Sequence, residues 1–172
     1  MTNIIFLDVD GVLNDLDYVE KCYQKHHQPM SMDYMPFNPR SLTNFRKIYD
    51  SILDNDNEPL VVLSSTWRLS KSSTYVLNAR LAEYGIYIKE TTPSIHQERG
   101  KEIIEWLETN NHLNSPFVIL DDENFDIICE ERLAKHLVKT TTQRGLLGIH
   151  VNKAIRVLKN EGSLNDSKSN FN

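Results

Sequence analysis

The 172-residue chain has little cysteine, little glycine, no excess of positive charge and no long apolar run. Its two cysteines, Cys22 and Cys129, show no C-x-x-C spacing, so neither a disulfide framework nor a thiolate metal site is indicated, and a reducing compartment fits. The longest apolar runs, "IIFL" and "PLVVL", are far too short to cross a bilayer, and Met1 leads into a strand rather than a signal sequence. A cytoplasmic protein is therefore expected. With 19 Lys and Arg against 24 Asp and Glu the net charge is −5, which argues against indiscriminate binding along a duplex but not against a local basic pocket. No internal repeat is visible, which sets aside solenoids and propellers. What is present is ordinary for one globular domain: 40% hydrophobic and 25% charged residues, in a chain long enough to bury a core of its own.

Apolar, β-rich runs predict strands at 3–9, 59–64, 86–90, 116–121 and 136–140. Helical periodicity lies between or after them at 38–53, 71–85, 100–111, 125–136 and 150–160, with Gly85 placed to stop the second helix. Continuous apolar strands alternating with helices predict an α/β fold, a Rossmann-like three-layer sandwich around a parallel sheet. The domain is expected over 1–160, followed by a polar, flexible tail at 161–172. Residues 15–37, rich in aromatics and methionine, break the alternation and read as a flap over the site.

Ligands of such folds bind at the carboxyl ends of the strands. The acids fall there. In "NIIFLDVDGVLND" Asp8 and Asp10 project to one side of the first strand's end while Val9 points away, and Gly11 lets the backbone turn sharply. Close carboxylates repel unless one is protonated or a cation sits between them, and magnesium, a hard ion that prefers oxygen ligands, meets that need. Asp121 and Asp122 in "VILDDENFD" would complete the metal site. Ser64 and Ser65 of "VVLSSTWR" offer hydroxyls to phosphate oxygens, Arg68 could reach the same region, and Arg99 and Lys101 in "QERGKEIIEWL" supply cations at a helix start. Trp67 reads as a packing residue. His26 and His27 lack any accompanying metal-ligand spacing.

The succession "FLDVDGVLN", "VVLSSTWR", "ERGKEI", "VILDDE" resembles the haloacid dehalogenase-like (HAD) superfamily of phosphohydrolases over residues 3 to about 155. More narrowly, "SSTWR", the Arg-Gly before "EIIEWL", the double aspartate and "LVKTTTQRGLLG" resemble the HAD domains of Swiss Army Knife RNA repair proteins. The resemblance implies that Asp8 is the nucleophile, forming an aspartyl-phosphate, and that Asp10 is the general acid and base. It further implies that Asp8, the Asp10 carbonyl and Asp121 hold Mg2+ with Asp122 as ligand or support, and that Ser64 binds the phosphoryl group. The family usually carries a lysine at its third motif. Here Arg99 stands before the glycine, aligned with the helix start, and Lys101 is the other candidate.

Only about 50 residues separate Asp10 from Ser64, too few for a full helical cap, so a minimal cap and an open site are expected, suited to a phosphate borne on a macromolecule such as a polynucleotide end. The alternative is a phosphoprotein phosphatase, with Tyr18, Tyr23, Tyr34 and Phe37 walling a slot for phosphotyrosine. A phospho-accepting receiver module is a distant third, because receivers place an adjacent acidic pair first and a lone aspartate later. Oligomeric state is not legible.

Overall fold

The computed structural model describes residues 2–26, 36–53, 58–95, 98–123 and 125–169, with the backbone alone for 26 and 160–169. Five strands, β1 (Ile4–Leu7), β2 (Leu60–Leu63), β3 (Ile88–Thr91), β4 (Phe117–Asp121) and β5 (Leu137–Lys139), form one parallel sheet in the order β3-β2-β1-β4-β5. The expected α/β sandwich is what forms. Each strand is shorter than its apolar run, by up to three residues.

The sheet is buried on both faces because its central strands β1 and β2 are apolar at every position and β4 is apolar up to Asp121. Ile5 and Leu7 point into one core with α2 (Pro39–Asp50), α3 (Lys71–Ala82) and α7 (Gly148–Ser169), contributed by Phe45, Ile48, Leu77, Leu81, Val151 and Ala154. Ile4 and Phe6 point into the other, with α4 (Arg99–Thr109), α5 (Phe125–Cys129) and α6 (Glu131–Ala134), through Ile103, Trp106, Leu107, Ile127 and Leu133. The period-2 alternation of β1 thus serves two helical layers. Phe6 meets Trp106 and Phe117 edge-on at 5.4 and 5.9 Å.

Helix ends follow local chemistry. Asn38 caps α2 by accepting from the Arg40 N–H at 3.0 Å, with Pro39 in the first turn. After α3, Gly85 takes φ +65° and the Gly85 and Ile86 N–H groups bond the Ala82 and Leu81 carbonyls, a Schellman closure whose apolar partners Leu81 and Ile86 lie in the same core.

Three element expectations are corrected. Residues 16–26 of the expected flap form α1 (Leu16–His26), started by Asp15, whose carboxylate accepts from the Tyr18 N–H at 3.0 Å. The helix buries little besides Val19, so it adds little to the core. The helix expected at 125–136 is broken into α5 and α6 at Glu130, whose backbone is extended (φ −89°, ψ 98°). The last helix continues to Ser169 rather than ending at 160; proline, which would stop it, does not occur after Pro116. The remainder of the expected flap, 27–35 with His27 and Tyr34, the side chain of His26, and the tail residues 170–172 lie outside the described residues. No helix among the described residues is long and apolar enough to cross a membrane.

Candidate active site

Strand order reverses between β1 and β4, so their carboxyl ends border the crevice where ligands of such sheets bind. Register then decides which side chains meet. Leu7 pairs with Leu63 on one side and Leu120 on the other, and the Asp8 and Ser64 N–H groups bond the Leu120 and Leu7 carbonyls at 3.0 Å. Asp8, Ser64 and Asp121 consequently stand in one row across three adjacent strands. All are buried.

Carboxylate oxygens of Asp8, Asp121 and Asp122 lie within 4.8 Å of one another. Arg99, at the start of α4, places its guanidinium between the first two, hydrogen-bonded to Asp121 and 3.4 Å from Asp8 Oδ1. Burial raises the pKa of Asp8 against the opposing pull of Arg99, and raises that of Asp121 to about 7, again against Arg99 and with Asp8 adding to the rise. Burial also works against the Arg99 charge, but Asp8 and Asp121 outweigh it and hold its pKa above the ordinary value. Three carboxylates against one guanidinium leave a surplus of negative charge in a poorly solvated place. A hard divalent cation relieves it, and this all-oxygen donor set fits one. The Ser64 hydroxyl, buried beside them, has no hydrogen-bond partner among the described residues, so it too is left to face a ligand.

The site is braced from several loops. Gly11, at φ +69°, could not carry a side chain: a Cβ there would stand 2.1 Å from Asp122 Oδ2. Thr142 donates its hydroxyl to Asp122, and Thr140 donates to the Gly11 carbonyl at 2.6 Å. These threonines of "KTTTQRG" have no role in the sequence reading; polar residues directly after a strand were the available signal. Ser65 hydrogen-bonds Asp8 and accepts from the Trp67 N–H at 3.4 Å, opening a 3-10 turn at Thr66–Leu69.

Asp10 is exposed, and its carboxylate is not among the clustered three. Its oxygens accept instead from Trp67 Nε1 at 2.9 Å and Asn14 Nδ2 at 2.8 Å. Arg68 and Lys101, both expected at the ligand, are engaged elsewhere. Arg68 donates to the Ser64, Ser65 and Pro93 carbonyls and pairs with buried Glu102, which makes it a clamp on the serine loop. Lys101 is half exposed and pairs with Glu98 at 2.7 Å, so Arg99 alone of the two cations sits at the acids. The start of α4 does attract an anion, but the anion is the protein's own: Asp126 accepts from the Arg99 and Gly100 N–H groups. Phe37, expected in an aromatic slot, is buried against Trp67 at 5.5 Å, whereas Tyr23 is exposed.

Comparison with known families decides what this arrangement belongs to: the family model for the HAD domain in Swiss Army Knife RNA repair proteins matches residues 4–151, from β1 into the first turn of α7. The chain belongs to this HAD family. No curated protein and no solved structure gives a significant match. Membership supports a phosphohydrolase of the HAD superfamily, and the matched span takes in every acid, serine and arginine described above. The acidic cluster at the β1/β4 crevice is compatible with the metal such HAD domains generally use.

Proposed function

We propose that the chain is a Mg2+-dependent phosphomonoester hydrolase that works through an aspartyl-phosphate on Asp8 and takes its phosphate from a macromolecule, in the first place a polynucleotide end. The observation that carries this is the convergence of Asp8, Asp121 and Asp122 within 4.8 Å beside an unpartnered buried serine hydroxyl. Asp8 and Asp121, with the Asp10 backbone carbonyl and Asp122 as ligand or support, would hold the ion. When bound it supplies positive charge between the carboxylates and the phosphate oxygens.

The chain's own groups do the rest. An Asp8 oxygen attacks phosphorus, the bond from phosphorus to the leaving oxygen breaks, and that oxygen takes its electron pair and a proton from Asp10. Asp10 then removes a proton from water as it attacks the same phosphorus, and the Asp8 carboxylate departs from inorganic phosphate. The Ser64 hydroxyl donates to a phosphoryl oxygen throughout. Arg99 pulls the pKa of Asp8 down against the effect of burial and would offer its charge to the phosphate, in line with electrostatic stabilisation.

The polynucleotide reading draws on the family's description and on the short span between β1 and β2. The test is hydrolysis of a generic aryl phosphate with Mg2+, followed by a comparison of 3′-phosphorylated oligonucleotides with phosphotyrosine peptides. Activity that vanishes with EDTA and in Asp8→Asn is expected, with the oligonucleotide preferred. A preference for the peptide would transfer the proposal to phosphoproteins, and full activity in EDTA would refute the metal.

A further inference from the structure

We infer that Trp67 is a positioning residue for Asp10: its indole N–H fixes the plane of the carboxylate that serves the leaving group. The inference rests on the reading of Asp10 as proton donor. An exposed aspartate at the edge of a cleft ordinarily has free torsions. Here each oxygen has its own donor, Trp67 Nε1 at 2.9 Å on Oδ2 and Asn14 Nδ2 at 2.8 Å on Oδ1, and two donors on opposite oxygens set the plane of the group.

The anchor itself is held. Trp67 is 6% exposed, its ring meets Phe37 at 5.5 Å, and the next residue is the clamped Arg68. The chemistry of the indole also matters. Its N–H donates and cannot accept, so toward Asp10 it can only hold a carboxylate oxygen, whereas a serine or a water could turn and accept instead. Packing alone would be met by phenylalanine; the nitrogen is what the Asp10 contact uses.

Two measurements on the full chain test this. In Trp67→Phe, which keeps the ring against Phe37, kcat for an alkyl phosphate should fall about tenfold, the scale of one hydrogen bond to a charged group. The loss should be smaller for an activated aryl phosphate that needs little proton donation, with KM and the Mg2+ requirement unchanged. Placed in an Asp10→Asn background, Trp67→Phe should cause no further loss. The same loss in both backgrounds, or a rise in KM with kcat intact, would overturn the inference. The second measurement needs no substitution of Trp67 and so survives a misfolded variant. The chain has two tryptophans, and Trp106 Nε1 donates to Glu90 at 3.0 Å. Asp10→Asn should therefore shift one indole N–H resonance and leave the other in place; two unmoved signals would refute the contact. A native chain without phosphatase activity would sink the reading of Asp10 as acid whatever the indole does, whereas an active chain in which Trp67→Phe is silent would sink this inference alone.

Discussion

At Gly11 the backbone has φ +69°, and the space a side chain would take is filled by Asp122, 2.1 Å from an added Cβ. Gly11→Ala is expected to destabilise the fold by about 1–3 kcal/mol, the range for a strained left-handed residue, and to displace Asp122 from the cluster. Thermal melts with and without Mg2+ check both, since the stabilisation by Mg2+ should shrink along with the melting temperature. Single residues also show where sequence reading reaches. Asp8 and Asp121 are legible because each directly follows or ends an apolar strand, and parallel register does the rest. The partners of Asp10 are not, because Trp67 lies 57 positions away and its contact depends on how the 3-10 turn seats. Arg68 and Arg99 look interchangeable as cations in the sequence; burial beside Glu102 claims the first and burial beside Asp121 the second.

Among the elements, a buried ion pair joins the serine loop to α4. Arg68 and Glu102 are 7% and 3% exposed, and Glu102 also accepts from the Ile95 N–H at 3.1 Å. Removing one partner of such a pair leaves the other charged and buried, so Arg68→Ala should cost about 3–5 kcal/mol of stability by chemical denaturation. Lys101→Ala, which breaks only the surface pair with Glu98, should stay within about 0.5 kcal/mol of the native chain and leave activity intact. The alternation of strands and helices, hence the sheet, was readable from period and length alone. Helix α1 was not, because it lies in an aromatic- and methionine-rich stretch with Pro29 and Pro36 that reads as an excursion; its cap, Asp15 before Leu16, was the overlooked mark. The break between α5 and α6 left no proline or glycine behind, only an extended Glu130.

For the molecule as a whole, the acidic cluster couples folding, pH and metal. Asp121 holds a proton up to about pH 7 in the folded chain, while an unfolded aspartate releases it near the ordinary value of 3.8. Between those values the unfolded state binds fewer protons than the folded one, so the stability of the metal-free chain should fall as pH rises from about 4 to about 7, then level off. Mg2+ must displace that proton. Its affinity should therefore weaken as pH drops below 7, and its stabilising effect should be greatest above 7, visible as melting curves with and without Mg2+ that diverge as pH rises. A constant gap across that range would mean that Asp121 does not titrate with the metal.

The proposed hydrolysis turns on attack of Asp8 on phosphorus. The most direct measurement is transfer of label from a radiolabelled aryl phosphate to the protein, quenched in acid within one turnover in the presence of Mg2+. Alkali-labile label is expected on the peptide containing Asp8 and absent in Asp8→Asn. Rapid hydrolysis with no label at any time, or label that persists in Asp8→Asn, would contradict it.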